Sequence, residues 1–369
     1  LNRAVKVIII LAALLLISAV VCVGGLFYVS NGNPVRFVQH TLLQIALSGR
    51  QADLNHAISS DASPVRFTVD RGDTPRTIAQ NLVKSALITD AQLFIDYAQL
   101  NELDTKLQAG TYFLKRSQTL TEIAVALTDS RNSFIPFRII EGERIEEIAA
   151  KIDGAQAYFG FSGAEFIIQV RAGSSVDPTF ANRVQLPAGA SLEGFLYPDT
   201  YQLPADVTAP MLRDILLQNF TSKVSDQVIS DAAAQGLSML QVVTLASIVQ
   251  REAVHVDEQP LIAGVYRNRM NIDKRLEADP TVQYAMGFRD GTWWPRITVD
   301  NYSNVQSPYN TYLNNGLPPG PISNPGISAI QAVVYPTASD YLYFRADCRT
   351  DGYHSFATTF EEHVANCPS

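Results

Sequence analysis

The sequence predicts an α+β protein: an N-terminal transmembrane helix, a small βα module and a larger α+β body. Three observations predict it. A charge-free apolar run opens the chain, one strand–turn–helix pattern occurs twice, and the rest mixes helical periodicity with loops rich in Pro, Asn and Tyr. Hydrophobic residues make up 47% of the chain and charged ones 17%, enough apolar material to build cores and to exclude wholesale disorder. The formal net charge is -8 with no long basic run, so nucleic acid is not an expected partner.

Residues 7–29 carry no charge. At ~1.5 Å per residue this run spans roughly 34 Å, enough to cross a bilayer core. Arg3 and Lys6 precede it, which places residues 1–6 in the cytoplasm. The competing reading, a cleaved signal peptide, is disfavoured because its apolar core is usually ~7–15 residues long. No other segment approaches a span. The expected location is therefore the plasma membrane, crossed once, with the body outside the cytoplasm. Cys348 and Cys367 then sit in an oxidising compartment as a candidate disulfide, with two free thiols as the alternative. Their surroundings lack a histidine pair, so no zinc site is expected.

Residues 30–64 read as a juxtamembrane linker, with a short amphipathic helix built on Phe37, Leu42, Leu43, Ile45 and Leu47. Folding is expected to begin at about Ser63. Over 65–130, Phe67-Thr68-Val69 alternates like a strand and Arg71-Gly72-Asp73-Thr74 forms a turn and helix cap. Ile78, Leu82 and Val83 follow at helical spacing. A second helix covers about 90–100, a strand 110–114 and a helix 121–127. The pattern F-x-x-x-x-G-x-x-x-x-x-I-A then recurs, from Phe67 to Ala79 and from Phe137 to Ala149, 70 residues apart. Residues 131–369 form the larger body.

Ser238-Met239-Leu240-Gln241 is a capping-box pattern. The helix it opens is predicted to run through Val242, Leu245, Val249 and Val256 as one apolar stripe. Glu252 falls on that stripe. Desolvation raises a carboxyl pKa, as a general acid requires near neutral pH. The alternative is a structural glutamate paired with Arg267 or Arg269. Arg251 and Glu258 fall off the stripe and are expected to be solvated. Asp199 and Glu193 are alternative second carboxylates, although Asp199 is also placed to cap a turn after Pro198. His255, His354 and His363 show no ligand spacing, so no metal or cofactor is expected.

Phe67-Thr68-Val69-Asp70-Arg71-Gly72-Asp73-Thr74, with Ile78-Ala79 and Leu82, resembles a LysM module, a small fold that grips N-acetylated glycans. A LysM-like fold without sugar binding remains the alternative. Leu245-Ala246-Ser247-Ile248-Val249-Gln250-Arg251-Glu252 resembles the ASIV-x-x-E signature of the YceG-like family, the endolytic murein transglycosylases. Four further stretches resemble that family in order: Leu192–Tyr201 (LEGFLYPDTY), Leu276–Tyr284 (LEADPTVQY) after Val265–Arg269, Ser307–Tyr312 (SPYNTY) and Gly316–Ile322 (GLPPGPI). The resemblance covers about residues 65–365. It implies a catalytic YceG-like domain with Glu252 as the catalytic acid, cutting peptidoglycan glycan strands with formation of a 1,6-anhydro sugar. The family's frequent second glutamate is Gln250 here, which argues against a need for it. Glu193, Asn268, Asp279, Gln283, Tyr284, Asn310 and Tyr312 are the candidate substrate-binding residues, and Trp293-Trp294 are candidates for sugar stacking. The expected partners are glycan strands, the plasma membrane and the glycan-synthesis machinery. A muramidase-type hydrolase and a non-catalytic peptidoglycan-binding scaffold are the competing readings.

Overall fold

The computed structural model describes residues 33–130, 134–348 and 350–366, with scattered positions between 15 and 30. The expected span over 7–29 therefore falls mostly outside the described residues. Among those described, no single helix is long and apolar enough to cross a membrane. The chain forms two compact units that divide at Ser133 and Phe134.

The first unit contains α1 (Pro34–Ser48), α2 (Gln51–Asn55), β1 (Pro64–Val69), α3 (Pro75–Lys84), α4 (Ala91–Leu100), β2 (Gly110–Lys115) and α5 (Leu120–Ala126). β1 and β2 pair antiparallel, with Phe67 opposite Tyr112. Helix starts follow the local chemistry. Thr74 caps α3 through the Thr77 N–H with Pro75 in the first turn, Asp90 caps α4, and Thr119 and Glu122 close a capping box on α5. Ile78, Ala79, Leu82, Phe94 and Ile123 fill the core behind the strands. The linker expected over 30–64 is largely helical. Leu47 and Leu54 from it are 2% and 3% exposed within the same core, so this unit begins well before Ser63.

The second unit opens with β3 (Phe134–Arg138), α6 (Ile145–Gly154), α7 (Gly163–Val170), α8 (Pro178–Val184) and β4 (Thr200–Pro204). β3 pairs antiparallel with β4, Phe137 facing Tyr201. Then come α9 (Ala209–Lys223), α10 (Asp226–Ala234), α11 (Met239–Glu252), a 3-10 turn (Val256–Glu258) and α12 (Gln259–Asn271). The chain continues through α13 (Asp279–Met286), α14 (Val299–Asn304), α15 (Ile327–Val334), β5 (Tyr343–Ala346), β6 (His354–Ala357) and α16 (Phe360–Ala365). β5 and β6 form an antiparallel hairpin. Phe180, Phe195 and Phe220 meet at centroid distances of 5.2–6.1 Å in one aromatic core.

Helix α11 runs through the centre of this unit and differs from the expected single-striped helix. Every residue from Val242 to Val249 is buried, Thr244 and Ser247 included. Those two hydroxyls are satisfied by the carbonyls of Leu240 and Thr244. The helix stops at Glu252, and Val256 is 58% exposed in the following turn rather than on a continued stripe. Cys348 is disulfide-bonded, whereas Cys367 lies outside the described residues.

Candidate active site

The site is built around the end of α11. Ser238 accepts from the Gln241 N–H while Gln241 Oε1 accepts from the Ser238 N–H, which fixes the helix start. Fourteen residues later Glu252 closes it, because Ala253 turns to an extended conformation at φ -79°, ψ 124°. A carboxylate at a helix C-terminus faces the negative end of the macrodipole, so its ionised form is disfavoured. The Glu252 carboxyl is pushed up to about 7, mainly by burial and further by the charge of Asp279. A hydrogen bond from Tyr266 and the cations Arg251 and Arg269 act in the opposite direction. The Tyr266 hydroxyl, on α12, donates to Glu252 Oε1 at 2.8 Å.

Glu252 opens onto a cavity of about 660 Å³ within the second unit. Opposite it, Tyr302 and Tyr312 stack at 4.0 Å with an interplanar angle of 16°. The Tyr312 hydroxyl donates to Asp279 Oδ1 at 2.6 Å. Arg269 is locked by its Nε to the Leu342 carbonyl, by Nη1 to the Leu276 carbonyl, and by an ion pair with Glu277 at 3.1 Å. Glu277 has φ +50°, a left-handed conformation that a β-carbon makes costly. The strain lies in the cavity wall, two residues before Asp279. From the β5–β6 hairpin, His354 reaches the same wall and is held by Glu258 through Nδ1 and its own N–H, both at 2.9 Å.

The structure brings Glu252, Asp279 and Tyr312 together in this cavity. It places the other expected residues elsewhere. Asn268 donates to the carbonyls of Ser339 and Tyr341 and pins that loop. Gln283 donates to the Pro295 carbonyl. Asn310 is fully buried, donates to the carbonyls of Tyr302 and Val305 and accepts from the Tyr312 N–H. It thus shapes the loop that carries both stacked tyrosines. Tyr284 lies under the Arg144 guanidinium at 4.0 Å. Glu193 is 2% exposed and accepts from the Ile145 N–H and from Asn324 Nδ2. Burial pushes its carboxyl up to about 8, with Glu146 adding to the effect. Asp199 has the opposite character: hydrogen bonding from Asn219 holds its carboxyl below the usual range.

Three readings are corrected. Glu252 has no ion pair with Arg267 or Arg269 among the described residues; Arg267 instead donates to Gln235, and Tyr266 takes the expected partner's place. Glu258 is not solvated, being 8% exposed and bonded to His354. Arg251 is half-buried, its guanidinium 3.9 Å over the Trp294 ring, so that face of Trp294 is already covered. His354 and His363 line the cavity wall, although among the described residues no cluster could hold a metal ion.

The sequence reading missed Tyr266, Arg269 as a cavity residue, and Tyr302. A signal existed for the first two. Ile262, Tyr266 and Arg269 recur at steps of four and three, so Tyr266 and Arg269 share the inward face of α12 with a buried isoleucine. Tyr302 offered no comparable signal, because its position depends on the loop fold set by Asn310.

Comparison with known proteins bears on the whole of this unit. The YceG-like family model matches residues 67–368. An endolytic murein transglycosylase of Streptococcus pneumoniae serotype 2 is 29% identical over 340 residues, covering 86% of this chain and 61% of that protein. The chain thus spans about three-fifths of the length of that relative. An endolytic murein transglycosylase of Bacillus subtilis is 30% identical over 312 residues, 81% of this chain and 82% of that one. The crystal structure of a yceG-like protein from Listeria monocytogenes, 30% identical, covers 82% of this chain and 99% of its own with a TM-score of 0.53. A family match over most of the chain, with relatives similar across both described units, shows that this protein belongs to the YceG-like family.

Proposed function

We propose that this chain is an endolytic lytic transglycosylase acting on the glycan strands of peptidoglycan, with Glu252 as its catalytic acid. The observation that carries the reading is the Glu252 carboxyl. It ends a buried helix, is raised to about 7, and opens into a tyrosine-lined cavity. A carboxyl poised there is protonated in a large fraction of molecules near neutral pH and can donate to the glycosidic oxygen. As the carboxylate, it then takes the proton of the sugar's own 6-hydroxyl, which attacks C1 and closes the 1,6-anhydro ring. The intramolecular nucleophile needs no bound water. Asp279, paired with Tyr312, supplies negative charge to the same cavity and stabilises the positive charge developing at C1. The Tyr302 and Tyr312 rings present apolar faces suited to sugar packing.

Asp279 also supports a second reading. A carboxylate near enough to raise the Glu252 pKa could activate water, which would make the enzyme a muramidase-type hydrolase. Digestion of purified peptidoglycan followed by mass analysis of the ends separates the two. Anhydro ends support the transglycosylase, reducing ends support the hydrolase, and an uncut polymer sinks both.

The remaining parts of the reading are the anchor and the small module. Residues 7–29 would cross the plasma membrane once, leaving both units outside the cytoplasm near newly made strands and the machinery that synthesises them. The β–α–α–β order of β1, α3, α4 and β2, with antiparallel strands, supports a LysM-like role for the first unit.

A further inference from the structure

Helix α1 (Pro34–Ser48) has three distinct faces. Leu43 and Leu47 lie on the one that meets the rest of the first unit, and Leu47 is 2% exposed in its core. Thr41, Gln44 and Ser48 form a mainly polar face that also carries Phe37, 38% exposed. Between them, Val35, Val38, Leu42 and Ile45 recur at steps of three, four and three, which aligns them along the helix. These four are 67%, 42%, 61% and 64% exposed. An apolar line of that length left open on a folded unit calls for an occupant.

Two features say what it is. The uncharged run 7–29 ends only a few residues before Pro34, so α1 begins where the proposed anchor leaves the bilayer. The helix itself also carries no acidic residue. The chain holds 36 acidic residues, yet the first of them in sequence is Asp53, beyond the end of α1. Among the described residues Glu102 and Asp104 border α1, in a cavity they share with Arg36, Leu42 and Lys106; Glu102 is taken up by Arg36 at 2.6 Å.

We propose that α1 lies along the membrane surface as an interfacial helix. The Val35–Val38–Leu42–Ile45 line seats in the headgroup region of an anionic phospholipid bilayer, while Leu43 and Leu47 hold the first unit. The first unit would then ride at a fixed height on the membrane instead of swinging on a flexible tether. This inference rests on the anchoring of residues 7–29.

The test uses the full chain reconstituted in vesicles of phosphatidylethanolamine and phosphatidylglycerol. A nitroxide-bearing amino acid replaces Val38 or Ile45 on the line, Thr41 or Gln44 on the polar face, or Leu16 in the proposed anchor. Collision with oxygen reports lipid and collision with an aqueous nickel chelate reports water. The expected result is oxygen-dominated collision at Val38, Ile45 and Leu16, inverted at Thr41 and Gln44. If Leu16 is in lipid but Val38 and Ile45 meet nickel as often as Gln44 does, the interfacial helix is wrong and the anchor stands. If Leu16 itself meets nickel, both fall. Spin–spin broadening between copies at Val38 would assign the line to a helix pair and overturn the proposal.

Discussion

The two strand–turn–helix segments, from Phe67 and from Phe137, are nearly the same object doing different work. Each Phe faces a tyrosine across an antiparallel pair, Phe67 with Tyr112 and Phe137 with Tyr201. Each tyrosine hydroxyl donates to the carbonyl four residues before it, Gln108 in one copy and Tyr197 in the other. In both turns a carboxylate, Asp73 or Glu143, accepts the N–H three residues earlier. Gly72 and Gly142 take φ +96° and +84°, and Ile78, Ala79 and Leu82 bury as Ile148, Ala149 and Ile152 do. The copies part at their surroundings. A β-carbon at Gly72 would meet nothing within 4 Å, whereas one at Gly142 would lie 3.2 Å from Arg251 Cδ. Helix α3 is capped by its own Thr74, whereas the first N–H of α6 is taken by Glu193, 48 residues away. The first copy is self-contained. The second is wired to the last turn of α11, where Glu252 sits.

That contrast is tested most severely at Glu252. Glu252→Gln keeps the shape and the acceptor for Tyr266 but cannot give and recover a proton. Cleavage of purified glycan should fall by ~100- to 10,000-fold with thermal unfolding little changed. Near wild-type cleavage would remove Glu252 from the chemistry. Loss of activity through unfolding would make it a structural residue. In the wild type, activity should decline above about pH 7 as the acid ionises.

The next effect concerns Glu193, which takes the first N–H of α6 beside the local bond from the Arg144 N–H to Glu147. Its folded pKa, about 8, lies above the ordinary carboxyl value of 4.5. Between those two values the folded state binds more protons than the unfolded, so stability should fall as pH rises through that window, by ~a few kcal/mol at most. Glu193→Gln should flatten this slope in melting temperature against pH. An unchanged slope would mean that Glu193 is ionised in the folded protein and its buried charge compensated.

A matched pair sharpens the comparison directly. Gly72→Ala and Gly142→Ala each place a β-carbon at positive φ, and each should cost roughly 1 kcal/mol of stability. Only Gly142→Ala should also slow cleavage, because it alone presses on Arg251 beside Glu252. Equal activity in the two variants would show that the second copy does not bear on the site.

Much of this was legible in the sequence where the determinants are local. The turn glycines, the Thr74 cap, the Ser238 capping box and the 70-residue echo all act within a few residues, so their elements could be placed. The end of α11 was not legible, since nothing in Ala253-Val254-His255-Val256 breaks the apolar period that Val256 extends. Glu252 was legible from the capped helix and its apolar period as well as from family resemblance, whereas Asp279 and Tyr312 were legible only through that resemblance. Asn268, Gln283 and Asn310 are polar side chains in the same motifs, yet they spend their hydrogen bonds on backbone carbonyls that hold loops. A motif cannot distinguish a polar residue that shapes a wall from one that faces the cavity. Glu258 and His354 meet across 96 residues, a pairing with no local signature.

The smallest expected effect is at Tyr266, and it separates positioning from chemistry. Its hydroxyl donates to Glu252 Oε1 and favours the ionised carboxylate, partly offsetting burial and Asp279. Tyr266→Phe removes that donor while keeping a ring in a fully packed place, against Phe344 at 5.6 Å. The Glu252 pKa should therefore rise, and the alkaline limb of the pH–rate profile should move to higher pH. At neutral pH two consequences oppose each other. More of the acid is protonated, but its carboxyl is less firmly oriented, so the net rate change should stay within about tenfold. The measurement is the pH dependence of kcat/KM on soluble glycan. A uniform loss at every pH, with the limb unmoved, would show that Tyr266 only packs the helix end. A shifted limb would show that the tyrosine sets the proton affinity of the acid.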